Sequence, residues 1–188
     1  MADSRGINYF YPTAESTGYS DEQYQRRFGI LTSLEFSSVL DVGSGPCNLA
    51  KWLDKNKPGV AYEAVDIRDD ALALCSCTTH KRIPNKKFDL VCLYGTVTYN
   101  IDDDKAKNKQ LLFDLLQACK NIVKKWIVFT VMKEEGLIGL PKLQLVGYTR
   151  SQVEQLVSSV GLTIETVHAQ VDLGEYLVVC DVEGASIR

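Results

Sequence analysis

Asp41, Gly43, Ser44 and Gly45 stand in the run Val39-Leu40-Asp41-Val42-Gly43-Ser44-Gly45-Pro46-Cys47-Asn48. There a short apolar strand gives way to a glycine turn and then to a helix. Glycines let the backbone turn tightly and let a ligand approach it closely. The first turn of a helix leaves backbone N–H groups free, and its dipole favours a carboxylate or a phosphate. A second acid, Asp66, closes the next apolar run, Val60 to Asp66. Together these residues make a site for a polar ligand with an anionic group. The dinucleotide fingerprint of dehydrogenases needs a final glycine where this chain has Asn48, and it tends to open its domain, whereas here a helix precedes it.

Other reactive side chains are sparse. Two histidines, His80 and His168, lie in no recognised catalytic motif, so no catalytic residue is assigned. Cys75 and Cys77, one residue apart, suit alternate faces of a strand, whereas zinc ligands pair at wider spacings. No metal is expected. The 6 cysteines lie mostly among apolar neighbours, where a free thiol acts as a small hydrophobe; a reduced, cytosolic (cytoplasmic) setting fits them. Tyr94 and Tyr99 flank Gly95-Thr96-Val97-Thr98. They either pack beneath the long helix that follows or turn an aromatic face to a cation. Arg26 and Arg27 read as a solvated helix face or as partners for a ligand carboxylate.

The elements that must position these residues follow from pattern. Ser20 with Gln23 forms a capping box that starts a helix running to about Leu34. Val39–Val42 is the first strand, Pro46 sits in the first turn of the next helix, and Pro58-Gly59 breaks the chain. Val60–Asp66 is the second strand, Ala71–Cys77 a weaker third, and Phe88–Tyr94 a fourth that is covered on both faces. Asp102-Asp103-Asp104 opens a long helix through Leu111, Leu112, Leu115, Leu116 and Cys119. Trp126–Met132 is a fifth strand. Thr149 with Gln152, or Ser151 with Glu154, caps a helix that ends at Gly161. Leu162–Val167 and Tyr176–Val182 close the chain as an antiparallel pair. The fold class is α/β: three layers, about seven strands, mostly parallel with one antiparallel strand near the C-terminus. Residues 1–188 form one domain, with 1–34 as an N-terminal lid segment and helix. The lid carries Tyr9, Phe10, Tyr11 and Tyr19.

With this order in place, Asp41, Gly43 and Gly45 resemble the first motif of class I (Rossmann-like) S-adenosylmethionine-dependent methyltransferases. Asp66, about 20 residues on, falls where that family keeps an acid for the ribose hydroxyls. Phe88-Asp89-Leu90-Val91 resembles its fourth-strand motif, and Gly161-Leu162-Thr163-Ile164 its late helix-to-strand turn. The resemblance implies S-adenosylmethionine as cofactor, held by Asp41, Gly43, Ser44, Gly45, Asp66, Ile67, Thr78, Leu93 and Tyr94. Three features depart from the family. Cys47 replaces a usual third glycine, the helix between the second and third strands is almost absent, and Cys77 or Thr78 stands near the place of the adenine-binding acid.

The implied activity is methyl transfer to a small-molecule acceptor. A net charge of -3 over 188 residues gives nucleic acid no broad basic track. The lysines are scattered, and the Lys81–Lys87 loop is expected at the end of the sheet away from the cofactor. An RNA 2′-O-methyltransferase would need a Lys-Asp-Lys-Glu tetrad, and Leu93-Tyr94 occupy the place of its aspartate. A non-catalytic partner subunit keeping the fold is a third reading, and a protein partner or homo-oligomer stays open. No segment has the roughly 20 apolar residues of a membrane span, and Met1–Ser20 has no apolar core to serve as a secretory signal.

Overall fold

The computed structural model describes residues 20–98, 104–137, 145–170 and 173–182. The proposed lid, Tyr99, Asp102 and Asp103 lie outside them. Helix α1 (Asp21–Phe28) starts with the expected box: Ser20 Oγ accepts from Gln23 N–H, and Gln23 Oε1 accepts from Ser20 N–H at 2.8 Å. It passes into a 3-10 turn, Gly29–Ser33. There follow β1 (Ser38–Val42), α2 (Asn48–Asn56), β2 (Ala61–Val65), α3 (Asp69–Leu72), β3 (Thr78–His80), β4 (Phe88–Leu93) and α4 (Lys105–Lys120). The chain then forms β5 (Val123–Lys133), β6 (Gly147–Tyr148), α5 (Arg150–Val160), β7 (Thr163–Gln170) and β8 (Glu175–Asp181).

The sheet runs β3-β2-β1-β4-β5-β8-β7, with the short β6 also paired to β5. The β2, β3, β4, β5 and β6 pairings are all parallel, while β8 is antiparallel to both β5 and β7. That is the expected class, a mostly parallel sheet with one antiparallel strand near the C-terminus. One face carries Leu112, Leu116, Val153 and Val157 of α4 and α5. The other carries Phe28 of α1, Leu31 of the 3-10 turn, and Leu49, Trp52 and Leu53 of α2. β4 is buried along its whole length, because helices cover both faces of a central parallel strand. Among the described residues no helix is long and apolar enough to cross a membrane.

Two expectations about elements fail. Ala71–Cys77 is not a strand. Its alternating Ala and Leu are strong helix formers, and they close the one-turn helix α3 behind Asp69 and Asp70. The third strand instead uses the β-branched pair Thr78-Thr79, which suits a pleated edge. Pro46 lies before α2 rather than in its first turn, because Cys47 is the N-cap.

At the amino ends of the strands Asp89 ties three elements together. It accepts from Ser37 N–H at 2.8 Å and Ser37 Oγ–H at 2.6 Å, and it pairs with Lys124. Burial pushes its carboxyl up, but these donors outweigh that and bring it down to about 2.

Helix α5 closes with Gly161 in the left-handed region at φ 70°, and it opens on Thr149 with Gln152. Thr149 Oγ1 takes the Gln152 N–H at 3.3 Å, and Gln152 Oε1 takes the Thr149 N–H at 3.0 Å. Thr149→Ala is expected to cost about 1 kcal/mol, read as a lower urea midpoint at unchanged slope. An unchanged midpoint would show that packing of Val153 and Val157 alone holds the helix.

Candidate functional site

β2 lies on one side of β1 and β4 on the other, so the strand order reverses at β1. In open α/β sheets ligands bind at the carboxyl ends of strands beside such a reversal. The residues gathered there are the glycine turn after β1, Asp66 after β2, and Tyr94-Gly95-Thr96 after β4.

The turn is built by hydrogen bonds across the strands. Gly43 and Ser44 donate to Val65 O at 2.7 and 3.1 Å. Gly43 has φ 74°, and a Cβ there would lie 2.6 Å from Thr96 Cγ2. Thr96 in turn donates to Val42 O at 2.6 Å, joining the ends of β1 and β4. Gly43 is therefore required by a close approach as well as by its backbone angle. Gly45, at φ 53°, differs: a Cβ there would meet nothing within 4 Å. Its side of the turn is open.

Asp66 is buried and central. Its Oδ2 accepts from Gly45 N–H at 2.8 Å and its Oδ1 from Arg68 N–H at 2.9 Å. A carboxylate has about four lone-pair positions, so two such bonds leave acceptor capacity. Ile67, the next residue, is 51% exposed, one of two large apolar side chains so exposed among the described residues. Ser44 is half-buried beside Gly45, and Leu93 is buried at the end of β4.

Asp41 sits within the buried end of β1. Tyr62 donates to its Oδ2 at 2.7 Å. Burial drives its carboxyl up to about 7, the Tyr62 bond opposes that shift, and nearby Asp66 adds to it. Thr78 lies at the start of β3, opposite Glu63. The carboxyl end of that strand is His80, whose Nε2 is 2.8 Å from Glu63 Oε2. The structure therefore gathers Asp41, Gly43, Ser44, Gly45, Asp66, Ile67, Leu93 and Tyr94 at one edge and leaves Thr78 two residues back from it.

Lys81 follows β3 directly. It donates to Ile67 O at 3.0 Å and pairs with Asp69 at 2.6 Å. The Lys81–Lys87 loop thus begins beside the site and ends at the amino end of β4, which corrects its expected placement away from the cofactor. The loop crosses from the carboxyl end of one parallel strand to the amino end of another, so only its far part lies away from the site.

Tyr94 packs against the first helix rather than beneath α4, its ring 5.0 Å from that of Phe28 in an edge-on arrangement. Its hydroxyl is buried and meets no hydrogen-bond partner among the described residues. Arg27 is neither solvated nor open to a ligand. Its Nε donates to Glu175 Oε2 at 3.0 Å, its Nη2 also bonds Glu175, and Nη2 reaches Thr130 Oγ1 at 3.4 Å. Thr130 Oγ1 also accepts from Gly95 N–H at 2.9 Å. Arg26 is exposed and paired with Glu22. The pairing of Arg27 with Glu175, 148 residues away, leaves no mark in a local sequence pattern.

The cysteines bring the main surprise. Cys47 and Cys75 form a disulfide, so the expectation of reduced cysteines does not hold for this pair. Cys77, Cys92, Cys119 and Cys180 are free. The sulfurs of Cys47, Cys75 and Cys77 all lie within 4.8 Å of one another. The one visible signal was Cys47 in a glycine's place. It takes up φ 55°, the only positive φ of a non-glycine residue among those described. Such a conformation costs of order 1–3 kcal/mol and persists only where surrounding structure enforces it. As the N-cap of α2 it supplies no side-chain bond to the helix.

No family model and no curated relative matches the chain. Solved structures do. A magnesium protoporphyrin IX methyltransferase from Synechocystis, with bound SAH, aligns at TM-score 0.66 and 10% identity over 94% of this chain and 92% of its own. A SAM-dependent methyltransferase from Archaeoglobus fulgidus aligns at TM-score 0.64 and 16% identity over 92% of this chain and 99% of its own. A structure of a Haloferax volcanii putative methyltransferase with a methyltransferase activator matches at TM-score 0.68 and 11% identity, covering 97% of this chain and 99% of that one.

Proposed function

We propose that this chain, which has the class I methyltransferase fold, binds S-adenosylmethionine at the glycine turn and directs its methyl group to a small-molecule acceptor. The observation that carries the reading is a single edge holding three complementary features. They are the open side of Gly45, the Asp66 carboxylate with acceptor capacity to spare, and an α2 start without a side-chain cap.

The residues fit the cofactor's chemistry. The uncapped helix start suits the methionine carboxylate, Asp66 suits the ribose hydroxyls, and the exposed Ile67 offers an apolar surface to the adenine. The bound cofactor supplies an already activated methyl group. The chain's contribution is then to hold an acceptor in line and to exclude water, the orientation part of catalysis. Tyr94, whose ring lies beside Phe28 and whose backbone runs into Gly95, is the residue we place at the acceptor. A small acceptor accords with the acidic chain, in which Lys81 is the one lysine among the described residues bound to the site's backbone. A cytoplasmic placement and a protein partner belong to the same reading, the latter because one structural neighbour was solved with a methyltransferase activator.

Calorimetry with S-adenosylmethionine and S-adenosylhomocysteine tests the proposal, with Asp66→Ala as the diagnostic variant. Losing a charge-assisted acceptor is expected to weaken binding by roughly 1.5–3 kcal/mol. Because Asp66 also holds Gly45 N–H, part of that loss reports on the shape of the turn. Asp66→Asn, which keeps one acceptor oxygen, should lose less. A folded wild type with no affinity for either compound would defeat the proposal; affinity unchanged in Asp66→Ala would remove Asp66 from the ribose.

A further inference from the structure

The Cys47–Cys75 disulfide joins the glycine turn to the connection between β2 and β3, which begins with Asp66. We propose that this bond is a thiol-exchange site for a low-molecular-weight thiol or dithiol, and that its state sets the turn's affinity for S-adenosylmethionine. The identity of the ligand rests on the reading above; the exchange chemistry rests on the disulfide alone.

Two features select the sulfur that is attacked. Cys47 is 2% exposed, whereas Cys75 is half-buried and within reach of solvent. Cys47 also caps a helix of 9 residues, where a thiolate is stabilised and so leaves more readily. An external thiolate therefore attacks Cys75 Sγ. The S–S bond breaks, and its electron pair departs on Cys47 Sγ, which takes a proton from water. A second external thiol then attacks the mixed disulfide at the external sulfur, releasing Cys75 as a thiol. The chain gains two hydrogens, and the external pair becomes a disulfide.

Cys77 stays outside this exchange although its sulfur is close. Burial, with the negative charges of Asp41 and Glu63, holds its thiol above the ordinary range. It remains protonated, and a protonated thiol is a poor nucleophile.

The turn responds because the disulfide helps to enforce its shape. Cys47 holds a left-handed backbone unfavourable for any side chain, and the bond draws that side chain toward residue 75. Cys75 Sγ also lies 3.7 Å from Gly45 O. Reduction removes the covalent tie, so Cys47 can relax and Cys75 Sγ is no longer held beside Gly45 O.

The test is calorimetry of S-adenosylhomocysteine binding to the full chain, before and after dithiothreitol, with thiols counted by alkylation and mass spectrometry. Reduction, and separately Cys75→Ser, should each raise Kd about tenfold. Cys77→Ser should keep both the affinity and the response. Brief exposure to glutathione should place the adduct on Cys75. Equal Kd values in fully reduced and oxidised protein, or an adduct on Cys47, would overturn the proposal alone. Loss of the far-ultraviolet circular dichroism on reduction would also overturn it, making the bond a structural staple. No binding in either state would defeat the methyltransferase reading and this proposal with it.

Discussion

Asp41→Asn is expected to remove a pH dependence of stability worth roughly 4 kcal/mol between about pH 4 and pH 7. Burial raises the Asp41 carboxyl from 3.8 to about 7, against the bond from Tyr62 and with help from Asp66. The folded state then binds this proton more tightly than the unfolded state does. The stabilising contribution is complete below the unfolded value and is lost as pH rises through the folded one. This is opposite in sense to Asp89, whose depressed carboxyl stabilises the fold above the unfolded value and loses that contribution as pH falls toward 2. Asparagine keeps an acceptor for Tyr62 but carries no charge, so its stability should stay flat where the wild type declines. The wild-type-minus-variant difference across a pH series of urea unfolding curves isolates the effect, because any constant cost of the amide cancels. A difference that does not change between pH 4 and 8 would show that Asp41 is not a titrating group of the core.

Arg27→Met should cost roughly 3–5 kcal/mol. The pair it breaks is closed to water, with side-chain exposures of 4% for Arg27 and 0% for Glu175. Removing one member of such a pair takes the opposite charge from a buried one, whereas replacing both by apolar groups is often neutral. The double variant Arg27→Met with Glu175→Leu should accordingly recover most of the loss. Because Arg27 also reaches Thr130, whose hydroxyl holds Gly95 N–H, the single variant should disturb the end of β4 as well. Urea unfolding of both variants checks the energetics. A loss under about 1 kcal/mol in the single variant would be the behaviour of a surface pair and would contradict this account.

The pair explains why the first helix could be placed from sequence while its role could not. Ser20 and Gln23 define its start by a local bond, legible in four consecutive positions. That Arg27 points inward depends on Glu175 at the far end of the chain, so a charged residue on a polar helix read as solvated or as a partner for a ligand carboxylate. Ala71–Cys77 failed for a different reason. A short apolar run can be a strand or a helix, and the Ala and Leu of this one prefer helix; β2 pairs instead with Thr78–His80 just beyond it.

By itself the sequence determined the alternation of strands and helices, the glycine turn after β1, Asp66 at the end of β2 and the antiparallel closing hairpin. Each of these is written in a short window, through hydrophobic period, backbone freedom or capping. Only the tertiary structure decided that Cys47 bonds Cys75, that Arg27 is buried against Glu175, that Asp66 holds Gly45 N–H and that Lys81 borders the site. These depend on distances between segments far apart in the chain, which the packing of the sheet sets and no local pattern encodes.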